Sequence, residues 1–244
     1  MKIRYELDTA WQDYSGYLED LVVRPKVKNI CEIGGGANPS LPLDLIQRHR
    51  LEYTILDISA EELRKAPDEY RKIQADIMSP TLSLDGGYDL VFSKMLAEHV
   101  QSGHDFHANV LRLLRDGGYA FHFFPTLYAL PFVINFLLPD QLTEHILLFL
   151  QPSRVRTGKH SKFKAYYSWC RGPLKRQIRR FESLGYSVEE YVGFFGHSGY
   201  YRKIKPLFAL HLFMSSLLTK YPTPLLTSFA YVLLRKQSGS VNPG

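Results

Sequence analysis

The sequence predicts an α/β domain built on a mostly parallel, open sheet, and three observations predict it. The apolar run Val27–Ile33 breaks at Gly34-Gly35-Gly36, as a buried parallel strand does when it enters a tight turn. A second strand-like run, Tyr53–Ile58, carries a carboxylate at its end, Asp57, and Ser59-Ala60-Glu61-Glu62 follows as a capping box. Strand and helix patterns then alternate as far as Pro125, which is the signature of a doubly wound sheet.

The chain of 244 residues is 45% hydrophobic and 22% charged, a globular balance that excludes a disordered class and suits one α/β domain with an elaboration. Cys31 and Cys170 are its two cysteines, too few for a disulfide framework or a thiolate metal cluster. Met1–Arg24 is charged and has no signal-peptide apolar core, so a cytoplasmic protein is expected. The net charge of +6 is unevenly distributed: Gln151 to Phe181 holds ten Lys or Arg and no acid. Such a block points toward an anionic partner.

Residues 1–24 are expected to form a helical lead-in, with Leu18, Leu21 and Val22 on one face. Trp11, Tyr14 and Tyr17 recur every three residues. They either pack on the core or cover a ligand. After the glycine turn a helix is expected over Leu41–His49, with Pro39 and Pro42 suited to its beginning. A third strand is expected over Arg71–Ile77, with Asp76 near its end, and a fourth over Tyr88–Ser93. A helix over Asp105–Leu114 closes on Gly117-Gly118, and Tyr119–Phe124 forms a fifth strand.

The turn is not the dinucleotide fingerprint, because the sixth position counted from Gly34 is Pro39. Its pattern of Glu32, Gly34 and Gly36 resembles the first motif of class I S-adenosylmethionine (SAM)-dependent methyltransferases. Asn38 stands where that family often has another glycine, and Asn tolerates left-handed backbone. Tyr88-Asp89-Leu90-Val91-Phe92-Ser93, Glu98-His99-Val100 and the run Leu113–Phe123 resemble the family's later motifs, in the right order. The resemblance covers residues 27–125. It implies a Rossmann-like, doubly wound, seven-stranded mixed sheet with the last strand antiparallel and a largely helical insertion between strands five and six. The whole chain is then one domain: 1–24 lead-in, 25–125 cofactor core, 126–181 substrate-side insertion, 182–236 final helices and strands, and 237–244 tail.

The same resemblance implies SAM as cofactor and S-adenosylhomocysteine as product, bound by Glu32, Gly34, Gly35, Gly36, Asn38, Asp57, Ile58, Asp76, Ile77 and Ser93. Asp57 lies 23 positions after Gly34, where an acidic residue meets ribose hydroxyls in such folds. Asp76 is implied to accept from the adenine amino group.

From Gly117 to Pro139 there are 23 residues without formal charge, long enough to cross a membrane. Pro125, Pro131 and Pro139 exclude one continuous helix. The basic block follows, with Phe163, Tyr166, Tyr167 and Trp169 interleaved. Lys175–Leu184 reads as a helix, Tyr186–Val192 as a strand, Leu207–Leu218 as an apolar helix and Leu225–Arg235 as the last strand.

Methyl transfer to oxygen requires a base. His99 is the candidate, with His122, Tyr128, Arg154, Arg156, Tyr166 and Tyr167 as candidate acceptor contacts; His160 is a further option for the base. No metal site is expected, because His104 and His107 lack the companions of a zinc set. The expected acceptor is small or lipid-linked, anionic or sugar-containing, with contact to an anionic membrane surface from the cytoplasmic side as a further expectation. An RNA methyltransferase is the alternative suggested by the basic block, but Ser93-Lys94-Met95-Leu96 stands where base-amino enzymes carry Asn/Asp-Pro-Pro-Tyr. An inactive membrane-associated scaffold of the same fold is the other.

Overall fold

The structure is a computed structural model and describes residues 1–24, 26–80, 82, 84, 86–127, 129, 133, 164–201 and 204–239. Along the chain run β1 (Lys2–Glu6), α1 (Ala10–Val22), β2 (Asn29–Ile33), α2 (Leu43–His49), β3 (Glu52–Asp57), α3 (Ala60–Lys65) and β4 (Arg71–Gln74). They are followed by β5 (Tyr88–Lys94), α4 (Gly103–Leu113), β6 (Leu114–Pro125), α5 (Lys175–Ser183), β7 (Tyr186–Phe194), α6 (Lys205–Lys220) and β8 (Phe229–Lys236).

The described strands form one sheet in the order β1-β7-β8-β6-β5-β2-β3-β4. All neighbours pair in parallel except β8, which runs antiparallel between β6 and β7. Eight strands stand where seven are expected, because β1 occupies part of the stretch read as helical. It pairs with β7 across most of the chain, Lys2 opposite Glu190. Arg4 Nε donates to Glu190 Oε1 at 2.7 Å, and the Tyr17 hydroxyl to Oε2 at 2.5 Å. A short charged strand of this kind suits a sheet edge.

Side chains alternate across the sheet, and this sorts the core. Phe121 and Phe123 of β6 face α1, where Tyr14 and Tyr17 stack on Phe121 with centroids 5.9 and 4.9 Å apart. His122, on the other face, meets Phe106 and His107 of α4. Trp11 packs against Phe123 at 5.1 Å but stays 51% exposed. The aromatic stripe therefore divides: Tyr14 and Tyr17 are core, whereas Trp11 stands at the sheet's edge.

Two expected boundaries differ. Helix α2 begins at Leu43 with Pro42 as its extended cap residue, so six residues separate the last turn glycine from the helix. Helix α4 has no glycine cap; β6 begins directly at Leu114, and Gly117 takes its positive φ of 74° within the start of that strand.

Strand registers align the carboxyl ends. Ile33 faces Ser93 and Leu56, and Asp57 faces Gln74. Phe229, which opens β8, sits opposite both Pro125 and Phe194, the last residues of β6 and β7. The connections after β2, β3, β5, β6 and β7 therefore all leave from one edge, where open parallel sheets bind ligands.

Candidate active site at the carboxyl edge of the sheet

The glycine turn is fixed from below and from the side. Gly34 takes φ +78° and its N–H donates to Leu56 O at 2.7 Å. Gly36 takes φ +35°, and a Cβ built there would lie 2.9 Å from Asp57 Oδ2. Only glycine lets the chain pass this close to the carboxylate without displacing it. Asp57 Oδ1 accepts from the Ser59 N–H at 2.9 Å, and Ser59 Oγ in turn caps α3 by accepting from Glu62 N at 3.2 Å. The expected capping box is thus only half formed: Ser59 Oγ caps α3, while the Ser59 N–H orients the carboxylate of Asp57 beside the turn.

Glu32 lies beneath the turn. Its buried carboxylate accepts from Ser40 N at 2.9 Å, from Ser40 Oγ at 2.5 Å and from the Tyr53 hydroxyl. Burial raises its pKa, against the hydrogen bonds from Ser40 and Tyr53 and the charge of Lys94. These contacts tie β2 and β3 to the segment that descends from the turn. Asn38 closes the turn, its N–H donating to Gly35 O at 2.9 Å, and its side chain is exposed.

Ile58 follows Asp57 and is 65% exposed, an apolar surface beside a carboxylate at the edge. Asp76 is exposed, with Oδ1 accepting from Met78 N at 2.8 Å. Ile77 is buried, and its carbonyl accepts from Asn109 Nδ2 at 2.6 Å. Asn109 also reaches Ser79 O at 3.1 Å, so α4 holds the Asp76 loop. The edge thus gathers Gly34–Gly36, Asp57, Ile58 and Asp76 from three adjacent strands.

Ser93 and His122 are fully buried, with Ser93 Oγ 2.8 Å from His122 Nδ1. Burial pushes His122 down to about 3, so it is a neutral interior group. Tyr128, Arg154, Arg156 and His160 lie outside the described residues.

His99 ends the single 3-10 turn Ala97–His99 that follows β5. Its Nδ1–H donates to Lys164 O at 3.0 Å, a tautomer assigned because a carbonyl only accepts. Nε2 then carries the lone pair, 3.7 Å from Glu98 Oε1. Burial lowers the His99 pKa and the Lys164 carbonyl opposes it, so the ring is neutral and basic at neutral pH. Glu98 is 3% exposed, and its Oε2 has no hydrogen-bond partner among the described residues. Burial pushes it up to about 8, so at pH 7 this contact is between two neutral groups and not an ion pair.

The segment after residue 163 docks on this turn. The N–H groups of Tyr166 and Tyr167 donate to Glu98 O at 2.7 and 3.0 Å. Tyr167 is buried, whereas Tyr166 is half-buried, its hydroxyl accepting from Gln101 Nε2 at 3.3 Å. Trp169 stacks on His107 at 5.8 Å. Of the basic block, Lys175, Arg176 and Arg179 form the solvent face of α5, and Arg180 lies over Trp169.

Lys94 was not anticipated. The last residue of β5, it places Nζ 4.5 Å from the Tyr14 ring centroid and 5.5 Å from that of Trp11. Burial lowers its pKa and Glu32 opposes the shift. A lysine closing a strand with the apolar centre Leu90-Val91-Phe92 was the available signal. Met95 follows with φ +52°, a backbone conformation unfavourable for a side chain of its kind and frequent at functional sites. Among the described residues no group of His, Cys, Asp or Glu is arranged to hold a metal ion.

The described edge fits a nucleoside-bearing cofactor: the carboxylates of Asp57 and Asp76, the exposed Ile58 and the glycine backbone lie at the ends of adjacent strands. Residues 32–122 match the family model of the methyltransferase domain. Comparison with curated sequences gave no match. Among solved structures, geranyl diphosphate methyltransferase in complex with its diphosphate and sinefungin is 14% identical, with TM-score 0.56, and the match covers 92% of this chain and 77% of that one. Phosphoethanolamine N-methyltransferase 2 of Haemonchus contortus, in complex with phosphomonomethylethanolamine and S-adenosylhomocysteine, is 12% identical with TM-score 0.58; the match covers 93% of this chain and 53% of that one. The cyclase SpnF is 15% identical with TM-score 0.55, over 94% and 83% of the two chains. At these identities the structural likeness is one of fold.

Proposed function

From the premise that this chain belongs to the class I SAM-dependent methyltransferase family, we propose that it methylates an oxygen of a small or lipid-linked, anionic or sugar-containing acceptor. The cofactor supplies an activated methyl group on a sulfonium. This chain's residues hold, orient and deprotonate. The Gly34–Gly36 backbone admits the cofactor closely, Asp57 accepts from the ribose hydroxyls, Asp76 accepts from the adenine amino group, and Ile58 and Ile77 flank the base. Glu32 and Ser93 brace the site from the interior.

The observation that carries the proposal is the state of His99. With Nδ1–H committed to Lys164 O at 3.0 Å, the ring is held in the tautomer whose basic nitrogen is Nε2. A hydroxyl is a poor nucleophile until its proton has somewhere to go. Glu98 at 3.7 Å keeps company with that nitrogen without charging it. Phosphate-bearing ligands in two structures of the same fold support an anionic acceptor. Tyr166, half-buried beside Lys164, and the basic residues 154 and 156 supply the matching cation and aromatic chemistry in sequence. His122 contributes by orienting Ser93 at the end of β5.

The test is transfer of labelled methyl from SAM to phosphate-bearing and lipid-linked alcohols. Transfer to an alcohol that is abolished in His99→Asn, with SAM affinity retained, supports the reading. Cofactor binding without transfer to any class of acceptor contradicts it, since the same fold serves a cyclase.

A further inference from the structure

Helix α6 carries an exposed apolar stripe. Leu207, Leu210, Met214 and Leu217 recur at three- and four-residue spacing, which places them on one face of a helix, and Tyr221 caps its C-terminal end. All five are exposed, and Phe213 beside them is the most exposed large apolar residue of the helix at 64%, with Leu210 at 56%. The face that holds α6 to the domain is a different one. Phe208, His211, Ser215 and Leu218 are buried or half-buried, and His211 Nε2 accepts from His197 N at 3.0 Å. An apolar stripe of this length belongs against something apolar.

We propose that α6 is an interfacial helix that docks the protein on an anionic lipid surface. Charge selects that occupant. From Tyr191 to Gly244 the sequence has six Lys or Arg and no Asp or Glu, and exposed Lys205 and Lys220 bracket the stripe. A second copy would set these cations against the same cations. The stretch 128–163 of this chain is net basic as well, with Arg154, Arg156, Lys159 and Lys162 against Asp140 and Glu144. A bilayer with anionic headgroups complements the lysines, and its hydrocarbon accepts leucine, methionine and phenylalanine without requiring a shaped pocket.

Length sets the orientation. Sixteen residues extend about 24 Å at 1.5 Å each, short of a hydrocarbon core about 30 Å thick. Among the described residues no helix is long and apolar enough to cross a membrane. Helix α6 therefore lies in the interface plane. Its connections leave Phe194 and return to Phe229, at the same sheet edge that carries the glycine turn and His99. Docking there turns the cleft toward the bilayer. This inference goes beyond methyl transfer and stands without it, so binding is measured in the absence of SAM.

The experiment is vesicle flotation of the full chain, with phosphatidylcholine vesicles with and without phosphatidylglycerol. Size exclusion and thermal unfolding are run alongside. The wild type is expected to float with phosphatidylglycerol vesicles and to be released by salt. Leu210→Gln with Phe213→Gln should weaken binding at least about ten-fold, from the apolar burial it removes, at unchanged melting temperature. Lys205→Glu with Lys220→Glu should abolish the preference for phosphatidylglycerol. The proposal is overturned if the wild type does not float or if the Gln variant floats as well as the wild type. A dimer dissolved by the Gln variant would assign the stripe to a second copy. A marked fall in that variant's melting temperature would assign it to this chain's own residues. Either result overturns the proposal.

Discussion

Asp57 Oδ2 and Gly36 are so close that a single carbon added at Gly36 would stand 2.9 Å from the carboxylate oxygen. The ends of β2 and β3 thereby meet at one point of the sheet's carboxyl edge. Gly36→Ala should displace Asp57 or the turn and reduce SAM affinity about ten-fold, the order expected from roughly 1–2 kcal/mol of positive-φ strain. Calorimetry checks it, with circular dichroism showing an intact fold. Wild-type affinity in this variant would mean that the cofactor does not use the junction.

His99→Asn should retain SAM affinity while turnover falls by about 10²–10⁴-fold, the usual contribution of a general base. A variant with near-normal turnover across the pH range would remove His99 from the reaction. The ring's neutrality at pH 7 also predicts that activity is lost on acidification, as Nε2 becomes protonated.

Glu98 gives a pH signature separate from catalysis. Its carboxyl is pushed from 4.5 up to about 8 by burial, so the fold retains its proton longer than the unfolded chain does. This stability is complete below about pH 4.5 and is lost as pH rises toward 8, by at most about 1.4 kcal/mol per unit. Glu98→Gln keeps the shape and removes the titration. Its stability relative to the wild type should therefore rise across that window in denaturant titrations and level off above it. A constant difference would contradict the buried, unpaired carboxyl.

The buried histidines act in the opposite direction on the acid side. Burial pushes His122 and His197 from 6.5 down to about 3, with His211 adding its charge at His197. Below pH 6.5 the unfolded chain takes up these protons and the folded chain refuses them. Stability should fall by about 1.4 kcal/mol per unit for each ring until pH approaches 3. His122→Asn should remove one ring's share, about 1.4 kcal/mol per unit, from the slope of this acid limb in pH-dependent unfolding; an unchanged slope would place the proton uptake elsewhere.

Much of the edge proposed to hold the cofactor was legible because its determinants are local. Glycine at 34 and 36, the carboxylate that ends β3 and the Ser59 cap are read within a few residues of one another, and the structure joins them as expected. What escaped depends on distant pairing. Strand β1 is stabilised by Glu190, far along the chain; Lys2, Arg4 and Glu6 do alternate with Ile3 and Tyr5, but five residues are too short a run to stand out beside the helical pattern that follows. Whether His122 faced the cleft or the core was decided by alternation along β6 and by Ser93 on the neighbouring strand. Lys94 gains its place from Trp11 and Tyr14, which reach it from α1. Helix α6 reads from the sequence only as apolar, because periodicity marks an apolar face without saying what covers it.

The central claim is that the carboxyl edge around Gly34–Gly36 and Asp57 is a SAM site. Isothermal titration of SAM and S-adenosylhomocysteine into wild type and Asp57→Ala tests it most directly. The account predicts saturable binding of one ligand per chain, weakened in the variant by about 1.5–3 kcal/mol, the range for a lost hydrogen bond to a charged group. Binding of equal strength in the two proteins, or no binding by a demonstrably folded wild type, would contradict it.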